Sequence, residues 1–323
     1  CSTLVSRAED SPSAIPRIDA HAHSGIQERM ESYVEIADLL KERHGQNLVA
    51  WVDLNFLRGG KTTADEYFEL VAETYDNRFL PCLHELMRDG FQYRPDELAG
   101  WMDRGVAGVK IWVGLSDAIA RPENAAFLAK MEEIGMPGAS IHIAQPYPTS
   151  WCNDPIQFWR AQKAWERVLD RHPNLIVVNA HMLDHFNSDE QLDYLDYMLT
   201  TYPRLHVDLS ARFQQFHRMR RDKLRDFMIR HQDRILFGTD IGKAEASTEQ
   251  MAERYHRCFT MLETDRIVRG SFFEEESVSQ GLALPHVALE KIYYRNAVRI
   301  YPRLAEVLSK QGHDVAIESK DGP

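Results

Sequence analysis

Short apolar segments recur along the chain, and each ends on a charged or polar side chain. The end positions follow one another at steps of 26 to 39 residues. The segments are rich in β-branched residues, which is typical of buried parallel strands. Their end positions are His21, Asp53, His84, Lys110, His142, His181, Asp208 and Asp240. The pattern predicts eight strands.

Segments with helical periodicity separate the predicted strands. In the clearest of them, residues 154–172, Asp154 offers an N-cap, Pro155 suits the first helical position, and Pro173 follows the end. Further helical patterns cover residues 189–201, 222–231 and 248–262. One strand, one helix and their loops take roughly 30 residues in a (β/α)8 barrel. The sequence therefore predicts an α/β fold, a (β/α)8 TIM barrel with a C-terminal helical extension.

Composition limits the domain organisation and the partners. The chain has 323 residues, 44% of them hydrophobic, enough for one large domain at 16–323 after a flexible lead-in at 1–15. A formal net charge of −11 disfavours a nucleic-acid partner, because phosphates would be repelled. No apolar run approaches the roughly 20 residues that span a bilayer. We expect a small-molecule substrate.

The amino terminus predicts a lipid anchor. The chain begins at Cys1, followed by a polar, Ser-rich stretch that looks like the mature end of a bacterial lipoprotein. On this interpretation the protein lies in the cell envelope or periplasm and contacts the membrane only through a lipid on Cys1. The alternative is an arbitrary boundary, which leaves a cytoplasmic protein. Cys82, Cys152 and Cys258 show no CxxC spacing, so no cysteine zinc site is expected.

His21 and His23 end the first predicted strand. Side chains two apart on a strand point the same way, so both imidazoles can reach one metal ion. The competing interpretation is a surface strand with two unrelated histidines. The later polar strand ends favour the metal interpretation, because barrel active sites are assembled at that face.

Six short motifs stand in order along almost the whole chain. They are His21-x-His23, Gly108-Val-Lys110, His142, His181, Gly238-Thr-Asp240 and a closing segment at 291–301. Together they resemble the amidohydrolase superfamily, specifically its amidohydrolase-2 branch. The resemblance implies a metal-dependent hydrolase or a non-oxidative decarboxylase, because the branch contains both, along with hydratases and lactonases.

The expected metal ligands are His21, His23, His142 and Asp240. Nitrogen and oxygen donors without a thiolate suit Zn²⁺, while Mn²⁺ or another first-row ion is the alternative. Taken alone, His142 is interpreted as a core histidine and Asp240 as a helix cap. Their places in the strand series favour ligation, and Asp240 is also expected to act in catalysis.

Three further residues are assigned roles in catalysis or substrate binding. His181 is either another ligand or an acid/base group, and we favour the acid/base role. Lys110 carries a carbamate between two ions, orients an anionic substrate as an ammonium, or is a packed buried lysine. The second option is preferred. Arg212 is expected to hold a substrate carboxylate, against the alternative of a surface arginine.

Aromatic side chains are predicted near the mouth of the barrel. Trp112 and Trp151 are expected to form an apolar wall for a cyclic or aromatic substrate, although packing against the barrel rim explains them equally well. The polar segment 264–285 is expected either to border the site or to mediate contact in a homo-oligomer.

The leading functional expectation is a metal-dependent hydrolase that uses metal-activated water on a small cyclic amide, lactone or ester. The alternative is a non-oxidative decarboxylase of an aromatic or enoic carboxylic acid. A metal-free binding or structural barrel ranks third, because several clustered His and Asp side chains need a partner for their polar atoms.

Overall fold

The computed structural model describes residues 12–57, 62–87, 90–114, 116–143, 154–241, 246–271 and 273–313. Cys1, Cys152 and Trp151 lie outside these ranges, so the predicted lipid anchor and the predicted Trp151 contact fall outside the described residues. Within the described residues, no helix combines the length and the apolar character needed to cross a bilayer.

Eight parallel strands form one sheet in chain order. Hydrogen bonds between the first strand and the residues that follow the last strand close the barrel: the Ala20 amide donates to the Phe237 carbonyl at 2.9 Å, and the Asp240 amide donates to the His21 carbonyl at 2.9 Å. The predicted TIM barrel is confirmed. The strands are β1 Pro16–Ala22, β2 Asn47–Asp53, β3 Phe79–Leu86, β4 Gly108–Trp112, β5 Gly138–His142, β6 Val177–Asn179, β7 Leu205–Asp208 and β8 Ile235–Leu236.

Helices alternate with the strands and begin where capping side chains are available. Asp154 accepts a hydrogen bond from the Gln157 amide at 3.0 Å, and Thr63 and Ser247 form capping boxes. The helices are α1 Gln27–His44, α2 Ala64–Tyr75, α3 Leu98–Arg104, α4 Ala125–Ile134, α5 Pro155–Arg171, α6 Asp189–Thr201, α7 Arg221–Arg230 and α8 Thr248–Glu263. All four helical segments predicted above are present.

A short hairpin and a helical segment complete the chain. Strands β9 Ile267–Arg269 and β10 Val278–Gln280 pair antiparallel within the polar segment that follows α8. The C-terminal segment comprises α9 His286–Glu290, a π-helical turn Lys291–Arg295, α10 Asn296–Ile300 and α11 Arg303–Lys310. The Phe237 amide donates to the Ile292 carbonyl at 2.9 Å, which ties the π-helical turn to the end of β8.

The amino-terminal end of the barrel is closed by a buried cation. Arg17 on β1 is fully buried and donates to Glu263 at 2.7 Å. Its guanidinium lies 4.7 Å from the ring centroid of Phe259 and 4.9 Å from that of Tyr293. Because this end is filled by protein groups, a ligand site belongs at the opposite end, where the strands finish.

Candidate active site

Five side chains meet at the carboxyl end of the barrel. His21 lies on β1, His23 directly follows β1, His142 ends β5, His181 follows β6, and Asp240 follows β8. Their donor atoms form two overlapping triads, His21 with His142 and His181, and His21 with His23 and Asp240. Within each triad the ligand atoms lie within 4.8 Å of one another. The structure thus brings together all four predicted metal ligands and His181.

Asp19 fixes the strand of His21 against the segment of Asp240. Its fully buried carboxylate accepts hydrogen bonds from the His21 amide at 2.9 Å and from the Thr239 amide at 3.1 Å. Tyr255 donates a third bond to it at 2.6 Å. Burial raises the pKa of Asp19 to about 6, although these donors act in the opposite direction. The network joins the two ends of the sheet at the site.

Neighbouring oxygen atoms fix the imidazole tautomers of His21 and His181. His21 Nδ1 lies 2.8 Å from Asp208 Oδ2, and His181 Nδ1 lies 2.9 Å from the Ser210 carbonyl oxygen. A carboxylate and a carbonyl can only accept, so each Nδ1 carries a proton and donates it. Each Nε2 therefore faces the centre of the cluster.

Asn55 fixes the tautomer of His23 in the same way. His23 Nδ1 donates to Asn55 Oδ1 at 3.1 Å, so a lone pair on Nε2 faces Asp240 Oδ1 at 2.9 Å. His21 Nε2 lies 3.2 Å from the same carboxylate oxygen. Acceptor atoms at this range repel one another unless a proton or a metal ion lies between them. The donor set, imidazole nitrogens plus one carboxylate, fits a first-row divalent ion.

The charges around the cluster favour a positive charge between His21 and Asp240. Burial alone lowers the pKa of His21, but the carboxylates of Asp208 and Asp240 overcome this effect and raise it to about 9. Burial opposes ionisation of Asp240, yet the His21 and His23 rings hold its pKa well below the usual range. A proton on His21, or a metal ion held by the cluster, would supply that positive charge.

His142 and His181 differ from His21 in their electrostatic surroundings. Burial lowers the pKa of His181 to about 3 and that of His142 well below its usual range. Their Nε2 atoms are 2.8 Å apart. Both rings are therefore neutral at pH 7. His142 Nδ1 is buried with no hydrogen-bond partner among the described residues.

Lys110 extends from β4 toward the same cluster. In the sheet it pairs with His84 on β3 and with Ser140 on β5. Its Nζ lies 3.4 Å from His23 Nε2, and the residue is 6% exposed. Trp112, two positions further along the same strand, is 40% exposed. An ammonium and an aromatic ring thus follow one another on one face of β4.

His181 occupies an unusual backbone segment. The residues from His181 to Asp184 form a left-handed turn, with φ of 57°, 55°, 55° and 57°, and none of them is glycine. Each non-glycine residue in this conformation costs about 1–2 kcal/mol. Contacts from elsewhere in the fold must offset that cost. One is the Asp208 carboxylate, which accepts from the His181 amide at 3.0 Å.

Arg212 lies beneath this turn and is 1% exposed. Its Nε donates to the His181 carbonyl at 2.9 Å, and its Nη2 forms a buried ion pair with Asp184. The alternative of a surface arginine is therefore wrong. Contact between Arg212 and a substrate carboxylate stays a prediction.

Sequence reasoning did not single out Asn55, Ser210 or Asp184. Asn55 lies two positions after Asp53, and Ser210 lies two positions after Asp208, so each follows a polar strand end at strand spacing. That spacing is a usable signal. Asp184 carried no such signal, because its place depends on the left-handed turn.

A family model described as amidohydrolase matches residues 18–303. Among solved structures, a TIM-barrel protein from Bordetella bronchiseptica is 14% identical, with a TM-score of 0.53, covering 91% of this chain and 99% of that one. Amidohydrolase 2 from Bifidobacterium longum is 15% identical, with a TM-score of 0.50, covering 90% and 99%. A 2,6-dihydroxybenzoate decarboxylase from Rhizobium is 15% identical, with a TM-score of 0.49, covering 90% and 99%. No curated protein sequence matches. At these identities the structural likeness shows the fold alone.

Proposed function

This chain belongs to the amidohydrolase family, in its amidohydrolase-2 branch, and we propose that it is a metal-dependent, non-oxidative decarboxylase of small organic acids. The proposal reverses the order in which the sequence ranked the two reactions. The observation that carries it is the position of Lys110 beside the histidine cluster.

Lys110 supports an anionic substrate on electrostatic grounds. Its Nζ lies 3.4 Å from His23 Nε2, close to the position between His21 and Asp240 that favours positive charge. A divalent ion held by this cluster and the Lys110 ammonium would repel each other in a largely buried site. An anion between them removes this repulsion. A substrate carboxylate is such an anion, whereas a neutral amide or lactone is not.

The chain's own groups account for the binding and proton steps. A divalent ion held by His21, His23, His142 and Asp240 would supply a Lewis acid at a substrate oxygen. Lys110 orients the carboxylate. The bond from the substrate carbon to the carboxyl carbon then breaks, CO₂ leaves, and the electron pair stays on the substrate carbon.

That carbon must next take up one proton. His181 Nε2 is the atom that relays this proton from solvent water to the carbon and leaves hydroxide to the solvent, because Nδ1 is committed to the Ser210 carbonyl and Nε2 carries the lone pair. Trp112 at the rim provides an aromatic face for a planar acid.

A hydrolase of a small cyclic amide, lactone or ester is the second candidate. It is favoured by the same His181 Nε2, which faces the cluster with a lone pair and so can accept a proton from water. The two candidate reactions differ in the charge of the substrate. The Lys110 ammonium favours the anionic substrate of the decarboxylase.

The test is a substrate panel on protein reconstituted separately with Zn²⁺ and Mn²⁺. Aromatic and enoic acids are scored for CO₂ release, and lactones, cyclic amides and esters are scored for hydrolysis. We expect CO₂ release from at least one acid. Lys110→Met should then lower kcat/KM about 10- to 100-fold, because a charged hydrogen bond to the substrate is lost.

The matched control is Lys130→Met, at a surface lysine on α4 that pairs with Glu133. It should leave both activities unchanged. Hydrolysis of a neutral lactone, with no CO₂ release and no effect of Lys110→Met, would establish the second candidate instead. A carbamate on Lys110, seen as an added CO₂ mass that acid removes, would exclude the ammonium role.

A further inference from the structure

The left-handed turn of residues 181–184 needs stabilising contacts from other parts of the fold. Four consecutive non-glycine residues adopt positive φ there, and the first of them is His181. Such a run is disfavoured for L-amino acids and persists only where contacts with the surrounding structure stabilise it.

Arg212 contacts both ends of the turn. Its Nε donates to the His181 carbonyl at 2.9 Å, and its Nη2 pairs with the Asp184 carboxylate at the other end. A guanidinium presents several donors in one rigid plane, so it can hold two oxygens at a fixed separation. The pair is shielded from solvent, since Arg212 is 1% exposed and the Asp184 side chain is 6% exposed.

The left-handed turn determines where the His181 ring points. Its backbone amide is fixed on Asp208 at 3.0 Å and its Nδ1 on the Ser210 carbonyl at 2.9 Å. With the carbonyl held by Arg212, His181 is anchored at three atoms. Its Nε2 is thereby aimed at His142 Nε2, 2.8 Å away.

We propose that Arg212 and Asp184 form a clamp that positions His181, and that Arg212 is a positioning residue without direct contact to substrate. The proposal rests on the proposed function only in taking His181 as a working group of the site. It replaces the sequence-based expectation of a substrate-carboxylate contact for Arg212.

The test uses the full chain without metal or substrate, so it does not depend on the reaction. Arg212→Lys keeps the buried charge but places all its donors on one nitrogen, which cannot reproduce the separation between Nε and Nη2. The double variant Arg212→Met with Asp184→Asn removes both charges together and leaves no unpaired buried ion to unfold the protein. Arg220→Gln, which breaks an exposed pair with Asp189, is the control.

Two readouts are recorded. The first is the ¹⁵N spectrum of the histidine rings, with the His181 signals assigned by their loss in His181→Asn. We expect a single tautomer with the proton on Nδ1 in the wild type and the control, and a mixture of tautomers in both clamp variants. The second is amide hydrogen exchange of the peptide that covers the turn, which should be about tenfold faster in the clamp variants.

A role for Arg212 in substrate binding alone would leave both readouts at their wild-type values. That result would overturn the clamp. Faster exchange with an unchanged His181 tautomer would also overturn it, because the contact would then stabilise the turn without positioning the ring.

Discussion

The two sides of the site are built in different ways. His21 lies on β1 and His23 directly follows that strand, so the alternation of an extended chain points both rings toward the centre. His181 stands on a left-handed turn, and its ring direction depends on contacts with Asp208 and Arg212. Local backbone geometry therefore sets the direction of the rings on the strand side, where Asp208 and Asn55 fix only the tautomers, whereas on the turn side tertiary contacts also set the backbone. The turn side should be the more sensitive to loss of a neighbour.

Asp240→Asn should have the largest effect, because this carboxylate faces both sides of the site. It lies 2.9 Å from His23 Nε2 and 3.9 Å from His181 Nε2. We expect turnover to fall by roughly 10²–10⁴-fold, as for loss of a catalytic acid/base group, with bound metal reduced in the same sample. Steady-state kinetics and elemental analysis give the two values. Asp233→Asn, at the other end of the same segment, is the control and should retain both.

Asp208→Asn tests the link between the two sides. Asp208 Oδ2 accepts from His21 Nδ1 at 2.8 Å, and Oδ1 accepts from the His181 amide at 3.0 Å. Loss of such an orienting carboxylate costs about 10–100-fold in metal affinity. Competition with a chelator measures the change. An affinity equal to that of the surface control Asp196→Asn would mean that the two sides are independent.

His185→Phe tests how the residue that follows the turn affects the pH dependence of the free energy of unfolding. His185 is enclosed by Phe158, Trp159 and Tyr194, and burial lowers its pKa to about 3. Above pH 6.5 the ring is neutral in both the folded and the unfolded protein, so it adds no pH dependence. Below pH 6.5 the unfolded chain binds a proton that the folded chain excludes, and the free energy of unfolding falls.

The expected loss of stability follows from the pKa of His185, about 3 in the folded protein and about 6.5 in the unfolded chain. At pH 5 the wild type should have lost about 2 kcal/mol through His185, relative to pH 7, which the phenylalanine variant does not lose. Urea unfolding at pH 7 and pH 5 gives the difference, with the exposed His217→Phe as control. Parallel pH profiles for wild type and His185→Phe would contradict the assignment.

Trp112→Ala should have the smallest effect, since this ring lies at the rim above Lys110. We expect KM for a planar acid to rise about two- to tenfold with little change in kcat, because only stacking is lost. Trp159→Ala removes a similarly exposed tryptophan from α5 and should leave KM unchanged. Equal effects of the two changes would remove Trp112 from the site.

The strand side of the site could be predicted from the sequence almost completely. Strand β7 runs from Leu205 to Asp208, as its apolar pattern predicts, and β2 likewise has its predicted bounds. Buried parallel strands form continuous apolar runs, and barrel geometry places their polar ends at one face. Those two rules place His21, His23, His142 and Asp240 at that face, although β8 ends at Leu236, four residues before Asp240.

The turn side could not be predicted in the same way. Strand β6 ends at Asn179, two residues short of the predicted His181. No glycine or asparagine marks the left-handed turn at 181–184. Its conformation follows from the buried pair of Arg212 and Asp184, which joins two loops 28 residues apart in sequence.

The central claim is that the strand side and Asp240 hold one divalent ion. A crystal structure of metal-loaded protein, with anomalous data at the edge of the bound element, tests it directly. The account predicts one ion within about 2 to 2.5 Å of His21, His23, His142 and Asp240. Two ions bridged through Lys110, or full metal loading with Asp240 outside the coordination sphere, would contradict it.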